Sequence, residues 1–263
     1  MLNEIKQLNK EFYNWAAVEL NDPDNTNPYL IIPDERYQNA SFRILVLGKE
    51  TNGWGEGKDE NCHSAKDLEK LYVDKIINKE IGRSTAFWDF YFSWVWESLK
   101  ERSDVGVCVS NVALLGYRYE FLQLKPKGQK EGYNKDNALK LSEFLGRYIN
   151  ILKPNAIICF TGFGTKTRTE EPYLKILEHK KHLWGSYIRD NDKVLDTTCK
   201  YSMRKLTFVD SKGIEVYGTC HPGWRAKKEI KDKWKQSIVN SILNDIIPKP
   251  QAEAKADGSA DDQ

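Results

Sequence analysis

A chain of 263 residues with 40% hydrophobic and 12% aromatic side chains can bury a sizeable core, which excludes disorder over most of its length. Forty basic residues against 38 acidic ones leave a formal charge of +2, so the chain is no histone-like polycation. Its five cysteines, Cys62, Cys108, Cys159, Cys199 and Cys220, are scattered without a CxxC pair, which argues against a disulfide framework, a zinc ribbon and an iron–sulfur cluster.

The chain opens with MLNEIKQLNKEFYNWA, which reads as an amphipathic helix and lacks the charged-then-apolar layout of a signal peptide. No apolar stretch approaches the ~20 residues of a membrane helix, so a cytoplasmic protein is expected. A first strand follows at Arg43–Leu47, RILVL. Helical patterns at Asp67–Asn78 and Thr85–Lys100 lead to a second strand, Val105–Val109. A helix over Asp136–Leu152 ends at Lys153-Pro154, because proline cannot continue it. The third strand is Ala156–Phe160, with a helix expected around Glu170–Glu178. Leu206–Val209 and Glu215–Thr219 read as a hairpin around Asp210–Gly213, and a helix over Ala226–Ile247 follows. The tail PKPQAEAKADGSADDQ is polar and proline-flanked, as disordered ends are.

The first three strands are nearly continuous in apolar and β-branched residues, as strands buried on both faces should be. Strands alternating with helices predict an α/β fold with a central, mostly parallel four-stranded sheet. Residues 1–248 are expected to form one domain, with a helical extension over 1–40, an aromatic-rich insertion over 64–101 and a disordered tail over 249–263. No internal repeat is visible.

Open parallel sheets place ligands beyond the carboxyl ends of their strands. Four loops therefore matter: Gly48-Lys49-Glu50-Thr51-Asn52-Gly53-Trp54-Gly55, Ser110-Asn111-Val112, Thr161-Gly162-Phe163-Gly164-Thr165-Lys166, and Cys220-His221-Pro222-Gly223-Trp224-Arg225. Familiar alternatives fit them poorly. Gly48 to Gly53 has P-loop glycine spacing, but Trp54-Gly55 stands where Lys-Ser/Thr is needed. Gly162-Phe-Gly164 lacks the third glycine of a dinucleotide fingerprint, and no GxSxG elbow occurs.

The runs LVLGKETNGWG, VCVSNVALL, AIICFTGFG and YGTCHPGWR resemble, in order and spacing, the uracil-DNA glycosylase superfamily. The resemblance spans roughly Phe42–Ile247. It implies a three-layer α/β/α sandwich and a monofunctional glycosylase that cleaves the N-glycosidic bond of a base flipped out of DNA. Glu50 would handle the attacking water, Asn111 would read the base edge, and His221 would steady the leaving base. Gly48, Asn52, Trp54 and Phe87 would complete the pocket, with Trp54 or Phe87 stacking on the base. Lys166, Trp224, Arg225, Lys227 and Lys228 would meet the DNA. Members often carry Asp-Pro or Asn-Pro where this chain has Glu50-Thr51, and Gly-Trp-Arg follows the histidine-proline pair in place of serine. The resemblance thus implies action on uracil or, given a pocket so altered, rather on a modified pyrimidine, in repair or in attack on foreign DNA.

The chemistry stands without the family. N-glycosidic hydrolysis builds positive charge on the sugar and negative charge on the base, so a carboxylate and a neutral hydrogen-bond donor suit it. An amide carries both a donor and an acceptor for a base edge. Basic residues also cluster: six against two acidic ones in Pro222–Lys235, a local +4, and four lysines against Glu131 in Gln123–Lys135, a local +3. Such loops suit a phosphate backbone, though each also suits a solvated face. Other readings remain open: Glu50 as a helix cap or ion-pair partner, Asn111 as a turn residue, His221 as a buried turn histidine, and the aromatics Phe87, Tyr91 and Trp94 as core at helical spacing. His63, His179 and His182 show no ligand spacing, so no metal and no cofactor are expected. The partner expected is DNA, with no membrane and a monomeric state; the alternative function is a non-catalytic nucleic-acid or nucleotide-binding module on the same fold.

Overall fold

The computed structural model describes residues 1–19, 27–48, 64–79, 86–111, 114, 135–161, 193–197, 199, 202–208, 213–223 and 226–249. Among these, α1 (Leu2–Glu19), α2 (Glu35–Asn39), β1 (Phe42–Gly48), α3 (Ala65–Tyr72), α4 (Ala86–Phe90) and α5 (Glu97–Leu99) precede β2 (Val105–Asn111). Then come α6 (Lys135–Leu152), β3 (Ala156–Cys159), β4 (Lys193–Val194), β5 (Arg204–Leu206), β6 (Glu215–Gly218) and α7 (Lys228–Ser241). No helix among the described residues is long and apolar enough to cross a membrane. The predicted helix at 170–178, the turn residues 210–212 and the tail from 250 lie outside the described residues.

The fold is α/β. Among the described residues its sheet is mixed, with six strands in the order β2-β1-β3-β6-β5-β4. The four predicted strands are the parallel ones, paired β1 with β2, β1 with β3 and β3 with β6. Every residue of β2 and β3 is buried, which is why those sequences carry apolar runs instead of alternation.

The expected count of four strands is corrected to six among the described residues. β5 pairs antiparallel with β6, Arg204 opposite Gly218 and Leu206 opposite Val216, and β4 pairs antiparallel with β5. The hairpin strand predicted at Leu206–Val209 thus starts two residues earlier and ends at Leu206. Lys205 explains the shift. Its ammonium pairs with the Glu215 carboxylate on the neighbouring strand, which also accepts from the Tyr217 hydroxyl at 2.6 Å. A strand held by charged cross-strand partners carries little apolar signal. Gly213, at the end of the predicted turn, takes φ +78°, a conformation glycine adopts without a Cβ clash.

Three predicted helices are each α-helix running into one π-helical turn, at Val73–Ile77, Tyr91–Trp96 and Ile242–Ile246. A single wide turn barely changes the apolar period, so sequence shows only one long helix. α6 stops at Leu152 as expected; Lys153 takes φ +47° and donates its N–H to Ile149 O at 2.8 Å, closing the helix before Pro154.

Side chains that alternate along the strands meet different helices. On one side, Phe90 of α4 lies edge-on to Phe160, with centroids 5.4 Å apart, and Trp234 of α7 donates to Thr219 Oγ1 at 3.0 Å. On the other, Tyr72 of α3 lies 3.5 Å from Cys108 Sγ. α3 is tied to α1 and α6 through Asn9, which is fully buried, donates to Glu69 and Ile31 O, and accepts from Tyr148. Ile5, Leu8 and Phe12 of α1 are equally buried.

α2 lies directly on β2 at Gly106, where an added Cβ would stand 2.5 Å from Tyr37 Cα and 2.9 Å from Ala40 Cβ. Backbone cannot yield as a side-chain tip can. Gly106→Ala should therefore cost about 1–3 kcal/mol or more, read as a lower urea midpoint at unchanged slope. An unchanged midpoint would refute this packing.

Candidate active site

The register of the parallel strands builds the site. Gly48 pairs with Asn111 as the last residues of β1 and β2, and Leu47 pairs with Cys159. The ladder continues one step beyond β3 and β6, with Phe160 N–H donating to Leu47 O and Thr219 N–H to Cys159 O. Four chains thus end at one level, and in a parallel sheet residues at one level share a face. Asn111, Phe160 and Thr219 belong to that face, with Gly48 between the first two.

Gly48 marks the closest approach. A Cβ there would stand 2.4 Å from Asn111 Oδ1 and 3.6 Å from the Phe87 ring. The Asn111 amide therefore lies across the bare Cα of Gly48, and only a residue without a side chain leaves room for it. Asn111 is 8% exposed and Phe87 likewise 8%, so each presents one small surface to solvent.

Phe87 and His221 rings lie within 15° of parallel with centroids 6.4 Å apart. Phe160 braces Phe87 edge-on at 6.2 Å, and Trp88 does so at 4.8 Å. His221 Nδ1 accepts the Gly223 backbone N–H at 3.1 Å. A backbone N–H can only donate, so Nδ1 holds a lone pair, and the neutral ring carries its proton on Nε2. Gly223 packs close: a Cβ there would meet the His221 ring at 3.1 and 3.2 Å, and Ala86 Cβ at 3.9 Å.

Of the residues singled out from sequence, the structure brings Gly48, Phe87, Asn111 and His221 together. Lys227 and Lys228 are exposed where α7 opens; Lys227 is the N-cap and makes no side-chain capping bond. Glu50, Asn52, Trp54, Lys166, Trp224 and Arg225 lie outside the described residues. Of the aromatics, Phe90, Tyr91 and Phe92 are core, whereas Phe87 is both core and site wall.

Sequence reasoning missed Phe160, Gly223 and Ala86. Strand alternation was the available signal for Phe160, which follows β3 at the level of Gly48. Gly223 and Ala86 act through size, which carries no motif. Burial pushes the Cys159 thiol well above the usual range and the Cys108 thiol up to about 12, so neither offers a thiolate. Among the described residues, no group of three or more His, Cys, Asp or Glu could hold a metal ion. A scan against protein-family models finds no match, and no curated protein matches the chain.

The imidazole geometry makes a direct prediction. In protein labelled with ¹⁵N at histidine, His221 at neutral pH should show a proton on Nε2 and a bare Nδ1. The reverse tautomer would break the assignment of Nδ1 as acceptor.

Proposed function

We propose that the protein is a monofunctional DNA glycosylase that hydrolyses the N-glycosidic bond of a pyrimidine extruded from DNA. A modified pyrimidine is favoured over uracil because the loop after β1 departs from the family pattern. The observation that carries this reading is the meeting of an aromatic face (Phe87), an amide (Asn111) and a neutral imidazole (His221) at the carboxyl edge of four parallel strands. Helices reached from alternate strand positions agree with the three-layer sandwich of the uracil-DNA glycosylase superfamily.

The chemistry follows from the groups. A flat base stacks on Phe87. The Asn111 amide matches one donor and one acceptor on its edge. As the C1′–N bond breaks, the bonding pair leaves with the base and charge gathers on a carbonyl oxygen attached to its ring. His221 Nε2–H donates to that oxygen; a neutral donor stabilises the anion without having to transfer its proton. The sugar carries the complementary positive charge until water adds at C1′. Glu50 is assigned to orient that water and accept its proton. No step calls for a nucleotide or a divalent ion.

Incubation with oligonucleotides carrying a panel of bases should yield alkali-labile abasic sites for at least one modified pyrimidine. DNA binding without abasic sites on any base would favour the non-catalytic module instead. Glu50→Gln keeps shape and removes charge, so turnover should fall by ~10²-fold or more with binding spared. Wild-type turnover in that variant would remove Glu50 from the mechanism. His221→Ala should lower turnover with the fold intact, and an unfolded variant would make His221 structural.

Arg225, Lys227 and Lys228 are assigned to the phosphate backbone. Replacing all three with Ala should weaken binding to every sequence about equally. It should also flatten the salt dependence, since each lost contact removes ~0.7–0.9 from the log–log slope. An unchanged slope would make the cluster a solvated face.

A further inference from the structure

β2 ends the strand order of the described sheet, so among the described residues one side of its backbone has no neighbouring strand. Phe42 N–H donates to Asp104 O, which fixes which residues turn inward: Asp104, Gly106, Cys108 and Ser110 face β1. Val105, Val107, Val109 and Asn111 face outward, where unpaired peptide groups are costly when buried.

Side chains take the place of the missing strand. Arg36 Nε donates to Val105 O at 2.9 Å. At Val109 a single group does both jobs: the Tyr72 hydroxyl donates to Val109 O at 2.9 Å and accepts Val109 N–H at 3.3 Å. Tyr72 is 1% exposed and ends α3 where the helix widens into its π-helical turn. Val109 stands two residues before Asn111, and Asn111 O accepts Leu114 N–H at 3.3 Å.

We propose that Tyr72 is a positioning residue for base recognition: its hydroxyl completes the free edge of β2 at Val109 and so holds the Asn111 amide in register with Gly48. Among the described residues the Tyr72 hydroxyl bonds Val109 and lies against Cys108, not Asn111, so it acts through the strand. The proposal rests on the reading of Asn111 as the group that meets the base, and its test has an arm that does not depend on activity.

In the wild-type protein, the Val109 amide should exchange with solvent as slowly as the inward-facing Ser110 amide. Exchange at the rate of an open strand edge would overturn the proposal without any variant. Tyr72→Phe keeps the ring and deletes the hydroxyl, and should speed exchange at Val109 and Asn111 by roughly tenfold or more. On the base panel, the same variant should lower kcat on the preferred base and reduce its preference over the next base by ~5–10-fold, with KM for DNA nearly unchanged. Tyr37→Phe is the control, since that buried hydroxyl donates to Leu152 O at 3.4 Å, away from the strand end. A merely structural role would lower stability in both variants and leave base preference alone; that result overturns the proposal. If the wild-type protein excises no base, the glycosylase reading fails while the exchange arm still decides whether Tyr72 holds the strand.

Discussion

Everything at the candidate site depends on a shared level in the parallel sheet. Backbone hydrogen bonds lock Gly48, Asn111, Phe160 and Thr219 to one height, and that height decides which side chains converge. A slip of one residue in any strand would send its terminal side chain to the opposite face. Asn111 and Phe160 would then face α3 and its neighbours, while Ser110 and Thr161 replaced them. The burial of β2 and β3 on both faces resists such slips, because each alternative register must also fit a packed core.

The site couples that rigid frame to a small set of close contacts. Gly48 has no side chain because the Asn111 amide occupies the space. His221 is oriented by a backbone N–H two residues on, and Gly223 is small because the imidazole rests against it. Phe87 reaches the same space from an element far from the strands in sequence. It is braced by Phe160, which in turn meets Phe90, and Phe90 meets Trp234 at 4.9 Å. Trp234 closes the circuit by donating to Thr219, two residues before His221. The aromatic wall and the imidazole are therefore held by one continuous packing network.

The parallel strands were readable because burial on both faces demands β-branched runs, and their order placed Asn111 and His221 at the carboxyl ends of strands, although β2 runs two residues further than its apolar run and takes in Asn111 itself. β4 was not readable and β5 was read two residues too late, since Arg204 and Lys205 hold their place through cross-strand pairing, with only Leu206 buried among the three β5 residues. The π-helical turns left no trace in the apolar period. Phe87 is core, and its ring also faces His221 at the strand ends, because a residue at the edge of a core obeys the periodicity of the core. Tyr72 offered no signal at all: as an apolar-face residue of a helix it looks like packing, and its hydroxyl acts on a strand that follows 37 positions later.

Edge closure by side chains also explains why this site can sit beside a strand that, among the described residues, has a strand neighbour on one side only. A neighbouring strand would extend the sheet past Asn111 and bury its outward side, whereas Arg36 and Tyr72 satisfy only the peptides they touch. Between them the outward Val107 lines a recess with Trp96, Tyr91 and Ile76, and the π-helical turns that supply those residues bring their helices against the edge. The lysine at 79 takes φ +61° and sets its ammonium 4.4 Å from the Trp96 ring centre, while Arg36 lies 4.9 Å from the same ring. The helical segment that carries Phe87 at one end is thus fastened to the strand edge at the other. Asn111 and Phe87, though separated in sequence, both belong to elements anchored along the outer edge of β2, the one through Tyr72 at Val109 and the other through Arg36 between Val105 and Trp96.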